Sequence, residues 1–331
     1  MAAADRLIAP ESAVYREFVR LYRIARTLRS TPVDRWNGEL YATDTAVWGS
    51  VSPLTGAVRL SAQLVLPHLT GKTSHHHPVE QAEALATVLH ESTHAGMALK
   101  APTEPNAVDS KHSLGLTEGV AEVRAIEDFQ AFTWRAGYQD VVLPGPQYEG
   151  AFAATDRLLD QASGIFTSRE DLTDELVAGP AATHFDRLAG GVVRNRLWDV
   201  VPHHPDHQRA VRAALIRPML HDVWPQLPDQ PTSIGERVAL EIRMGLDAKV
   251  DEVRRYYRGG GWRPFEGEGF GQVAGRGRLE AGSAEADVAG GLRFLDAQAP
   301  ADGAVALRPS LGLGARRTGP PSTPEPGRTR E

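Results

Sequence analysis

From Pro78 to about Lys100 the sequence reads as one helix, with Ala82, Leu85, Val88, Leu89 and Met97 at its apolar positions. Proline suits the first turn, where its missing N–H would be unpaired anyway. Three side chains break the run of small and apolar residues: His90, Glu91 and His94, in the stretch HESTH. Two imidazoles and a carboxylate are costly to bury unless each finds a partner. The polar triple therefore constrains the rest of the chain, because whatever packs on this helix must meet it.

His90 and His94 stand at i and i+4, which puts both rings on one helix face. Two nitrogens so placed converge on one ion, about 2 Å from each. Glu91 is rotated by about 100° from His90. It reaches a water beside the ion but is badly placed to ligate. This is the H-E-x-x-H pattern, in which the glutamate serves as general base.

The 331 residues contain no cysteine, which excludes disulfides, thiolate metal sites and cysteine nucleophiles. A transition-metal site here must use His and carboxylates. The net charge of −6 argues against a nucleic-acid footprint. The start, MAAADRLIAPES, lacks a signal-peptide pattern, and no window approaches 18 uninterrupted apolar residues. A cytoplasmic protein with no membrane partner is the expectation.

Along the chain, 11–30 reads as an amphipathic helix with Val14, Phe18, Leu21 and Ala25 on one face. Strand-like residues follow in 41–51 and 57–66, joined by the turn Ser52-Pro53-Leu54-Thr55-Gly56. They read as a β-hairpin that the start of the chain extends into a small sheet. After the helix from Pro78, a polar loop leads to a second helix over about 116–135. Further helices are expected over 148–163, 169–178, 181–198, 206–221 and 233–257, separated by Gly, Pro and Ser/Thr. From GGGWRPFEGEGFGQ onward the chain is rich in Gly, Pro, Ala and Arg. Disorder is expected from about 265, with one weak element near 291–295. The chain thus divides into a core over 1–137, a helical lobe over 138–258 and a flexible tail over 259–331.

LHESTHAG, followed 24 residues after His94 by LTEGVAEV, resembles the zinc metallopeptidases of the gluzincin type. The resemblance spans about residues 40–135. It implies an α+β zincin-like core, a small sheet with two metal-bearing helices, and one zinc ion per chain. It also implies that Glu118, in the Glu118-Gly119 pair, is the third ligand beside His90 and His94. Glu91 would then be the base, and Glu122 would orient a histidine. Residues 57–66 would take the place of the exposed edge strand on which an extended peptide lies. The implied activity is hydrolysis of a peptide or protein substrate, as an endopeptidase. A catalytically inactive peptidase-like interaction protein, or a zinc hydrolase of another substrate, are the alternatives.

Other residues have plainer readings. Glu122, Asp109 and His112 are rivals to Glu118 as third ligand, and Glu118 itself would suit a first helical turn. His75-His76-His77 and the histidines of VPHHPDHQ (His203, His204, His207) read as exposed loops. The family stabilises its oxyanion with a downstream Tyr or His. Tyr138, Tyr148, His184, His203 and Tyr256 all qualify, with Tyr148 favoured because it follows a Pro-rich loop after the second helix. The glycine-rich GEGFGQVAGRG is no phosphate loop, having neither a strand before it nor a convincing helix after it.

Overall fold

The computed structural model describes residues 5–45 and 47–266. The weak element expected near 291–295 lies outside them, as does the chain from 267 on. Helix α1, Ala13–Leu28, starts at Ser12, whose hydroxyl accepts from the Tyr15 amide, and buries Phe18, Leu21, Tyr22 and Ala25. Four short strands follow the expected region: β1 (Arg6–Leu7), β2 (Leu40–Thr43), β3 (Gly49–Val51) and β4 (Val58–Ser61). Their order in the sheet is β1-β2-β4-β3, with β2 parallel to β4 and the other pairs antiparallel.

The hairpin is therefore β3–β4, closed by the turn in which the Gly56 amide reaches the Ser52 carbonyl. The strand expected over 57–66 is shorter and stands elsewhere. β4 lies inside the sheet, and the free edge on this side is β3. Ser61 ends β4 because its hydroxyl accepts from the amides of Gln63 and Leu64 and bends the chain away.

Helix α2, Pro78–Ala95, carries the HESTH stretch, and α3, Lys111–Ala136, carries Glu118. α3 begins five residues before the expected start because Ser110 caps it, accepting from the His112 amide. It ends at Gly137, whose φ of 76° places it in the left-handed region. Helices α4 (Glu149–Ala162), α5 (Arg169–Ala178), α6 (His184–Arg196), α7 (Pro205–Met219) and α8 (Thr232–Arg258) complete the chain. The stretch expected as one helix over 181–198 opens with a 3-10 turn, Ala181–Thr183, before α6.

Two hydrophobic clusters form, and α3 belongs to both. Leu116, Val120 and Val123 join the helical cluster, whereas Phe129, Phe132 and Ala136 join the cluster under the sheet with α1 and α2. The first residues of the expected tail also pack: Phe265 is buried in the helical cluster, its ring 5.3 Å from that of Tyr256. The fold is α+β with a small mixed sheet. Among the described residues no helix is long and apolar enough to cross a membrane.

Candidate metal centre

The two histidines of α2 and the glutamate of α3 meet. His90 Nε2 lies 3.2 Å from Glu118 Oε2, His94 Nε2 lies 3.3 Å from the same oxygen, and the two nitrogens are 3.0 Å apart. A tetrahedral ion with bonds of about 2.0–2.1 Å holds its donors about 3.3–3.4 Å apart. The triangle is thus close to the face such an ion requires. Among the described residues, His90, His94 and Glu118 are the one His/Asp/Glu group whose donor atoms converge in this way.

The chemistry of the donors agrees. A carboxylate only accepts, so the contact of 2.9 Å between His90 Nδ1 and Glu122 Oε2 puts the proton on Nδ1. In the neutral ring Nε2 then offers a lone pair, aimed at a second carboxylate and a second imidazole. Burial opposes charge on His90, which is 2% exposed, yet the carboxylates of Glu118 and Glu122, which accept from its ring, push its pKa up to about 10. Burial likewise opposes charge on Glu118, but His94 and His90 hold it well below the usual carboxylate range. Both shifts say that the cavity favours positive charge at its centre, which a divalent cation between the three donors would supply.

Glu91 is 3% exposed, and its Oε2 is buried with no hydrogen-bond partner. Burial pushes its carboxyl up to about 7. Strand β3 runs over it: a Cβ on Gly49 would stand 2.7 Å from Glu91 Oε1 and 2.9 Å from its Cγ. Only glycine lets the strand edge pass so near this carboxylate.

Glu122 is fixed from its other side. Its Oε1 accepts the Gln147 amide at 2.5 Å, while the Gln147 side chain bonds the Glu83 carbonyl and the Thr87 hydroxyl on α2, both at 3.1 Å. The next residue, Tyr148, lays its ring 5.1 Å from that of His90. Burial, then Glu118, Glu91 and Glu122, raise its phenol well above the ordinary value. The other oxyanion candidates stand elsewhere. Tyr138 donates to Glu17, Tyr256 to the Arg263 carbonyl, and His184 Nε2 to the Leu176 carbonyl, while His203 is exposed.

The rival ligands are also elsewhere. Asp109 is exposed, and His112 pairs with Ser110 and faces Asp222. Glu122 touches His90 through Nδ1, on the side of the ring away from the donor triangle. His75, His76 and His77 are exposed, as read from the sequence.

Gly49, Gln147 and Arg124 escaped the sequence reading. Arg124 is fully buried and ties three helices together, donating to Thr93 Oγ1 on α2, the Ala25 carbonyl on α1 and Asp128 on α3 itself. A guanidinium inside the apolar stretch VAEVRAI, and a glycine inside a strand pattern, were the available signals. Gln147 carried none, since its role depends on a contact with a residue 25 positions away. Comparison with protein-family models, with curated proteins and with solved structures found no match.

Proposed function

We propose that this protein is a zinc-dependent peptidase, with His90, His94 and Glu118 as ligands and Glu91 as general base. The observation that carries the proposal is the donor triangle with edges of 3.0–3.3 Å beside a buried carboxylate with an unpartnered oxygen. Two imidazoles and one carboxylate are a donor set of catalytic zinc sites, and they leave a coordination position open. When bound, zinc supplies Lewis acidity at a carbonyl and lowers the pKa of water.

The chain's own groups do the rest. Glu91, with a pKa near neutrality, takes a proton from the attacking water and passes it to the leaving amine. Tyr148 keeps its phenolic proton and donates it as a hydrogen bond to the developing oxyanion. Glu122 holds the His90 tautomer. The free edge of β3, which Gly49 lets lie against Glu91, pairs with the main chain of an extended peptide.

Metal analysis and a cleavage assay on casein or a peptide library test this reading. One zinc per chain is expected, and Glu118→Ala should lose it. Glu91→Gln should keep the zinc and lower cleavage by about 10²-fold or more. A folded chain that takes up no zinc would refute the metal assignment. Cleavage untouched by Glu91→Gln would refute the mechanism.

A further inference from the structure

We propose a second ligand site, in the helical lobe, that takes a small aromatic monocarboxylate. A cavity of about 460 Å³ opens against α6, within the size range of small-molecule sites. Its lining runs from residue 166 to residue 212, so no side chain of α2 or α3 contributes. It is separate from the metal donors.

Two rings form its mouth. Phe166 is 50% and Trp198 52% exposed, and their centroids are 5.1 Å apart at an interplanar angle of 54°. Large apolar rings held half in water at a cavity rim mark a place where an apolar ligand gains by covering them. Below them, α6 carries Gly190 in the lining. A Cβ there would stand 3.3 Å from Arg194 Nη1 and 3.5 Å from Arg212 Cδ, so the missing side chain leaves room beside both guanidinium arms.

The charges do not balance. Arg194 Nη2 clasps both oxygens of Glu175, at 3.0 and 2.9 Å, and its Nε bonds Thr167 Oγ1. Arg212 gives only its Nε, to Asp186 Oδ1 at 2.8 Å. Arg187 bonds neutral acceptors, the Thr183 hydroxyl and the Glu175 carbonyl. Three guanidiniums therefore line the cavity with two carboxylates, and one positive charge is left over. Arg194 Nη1 and both Nη atoms of Arg212 make no hydrogen bond among the described residues. Guanidinium forks match a carboxylate, and one surplus charge suits one anionic group. The ring pair above suits a flat apolar body, which gives the ligand class.

Calorimetry on the zinc-loaded full chain, with 2-naphthoate as probe and 2-naphthamide as its neutral isostere, tests the site. Naphthoate should bind one to one, and the amide at least about tenfold more weakly. Gly190→Leu puts carbons where the cavity is open and should weaken naphthoate by at least about tenfold, as should Arg212→Gln. The leucine meets the far end of the Arg194 side chain on a helix, so folding should survive, and circular dichroism checks this. Asp186 keeps Asn106 as a partner in Arg212→Gln. No naphthoate binding at about 1 mM, equal affinity for the amide, or binding unchanged by Gly190→Leu would each overturn the proposal.

Discussion

Glu122 shows how one buried carboxylate sets the tautomer of a neighbouring imidazole, that of His90. Its two oxygens are both used, one on His90 Nδ1 at 2.9 Å and one on the Gln147 amide at 2.5 Å. It is 1% exposed, so either contact, once lost, leaves a buried group unpaired. Replacing it with alanine frees the His90 ring to turn and to change tautomer, and removes a negative charge from beside the metal donors. Zinc affinity of Glu122→Ala should fall about 10- to 100-fold, the usual scale for such partners. Competition against a chromophoric chelator measures it. An unchanged dissociation constant in the folded variant would show that Glu122 does not orient the ligand.

At the scale of elements, the site depends on how closely α4 approaches α3. Tyr148 immediately precedes α4, so the position of that helix decides where the phenol sits. Gly119, next to Glu118, makes the approach possible: a Cβ there would fall 2.0 Å from Thr155 Oγ1 and 2.7 Å from the Ala151 carbonyl. Alanine raises helix propensity by about 0.5–1 kcal/mol. Overpacking against backbone costs about 1–3 kcal/mol, and here it should win. Gly119→Ala should therefore be destabilised by about 1–2 kcal/mol in urea unfolding. Equal or greater stability would mean that the two helices separate freely. The same glycine explains what was legible beforehand. A spacing of four on one helix is local geometry, so His90 and His94 could be paired from the letters alone. Glu118 was reachable only through the resemblance, because no periodicity links residues 24 apart across a loop. The resemblance also implied that 57–66 is the exposed edge strand, whereas β4 lies inside the sheet. Alternation marks strands but not their order, and β4 slips between β2 and β3 through pairings that the alternation does not encode.

For the whole molecule, the question is what ties the helical lobe to α2 and to the cluster under the sheet. Beyond α3, which both clusters share, and the Gln147 and Arg29–Asp174 contacts, a short segment adds backbone ties. Ala181 and Ala182 give their amides to the carbonyls of Ala98 and Leu99, just past α2, and the Val108 amide returns to Ala182. His184, fully buried at the start of α6 just after this segment, donates from Nε2 to the Leu176 carbonyl on α5. Burial lowers its pKa to about 3. The unfolded chain protonates this ring below about pH 6.5, whereas the folded chain resists until about pH 3. The unfolded state thus binds the extra proton across that window, and the stability His184 contributes is intact above about pH 6.5 and lost as pH falls towards 3. By pH 5 the loss should be about 2 kcal/mol. His184→Gln cannot take up the proton, so wild type should lose about that much more than the variant between pH 7.5 and pH 5. Other acid-sensitive groups, His90, His94 and Glu118 included, act in both proteins and cancel in the difference. Urea unfolding of the two proteins at the two pH values measures it. Parallel losses would mean that His184 is protonated within the fold, and that acid sensitivity resides in other groups, such as the His90, His94 and Glu118 cluster.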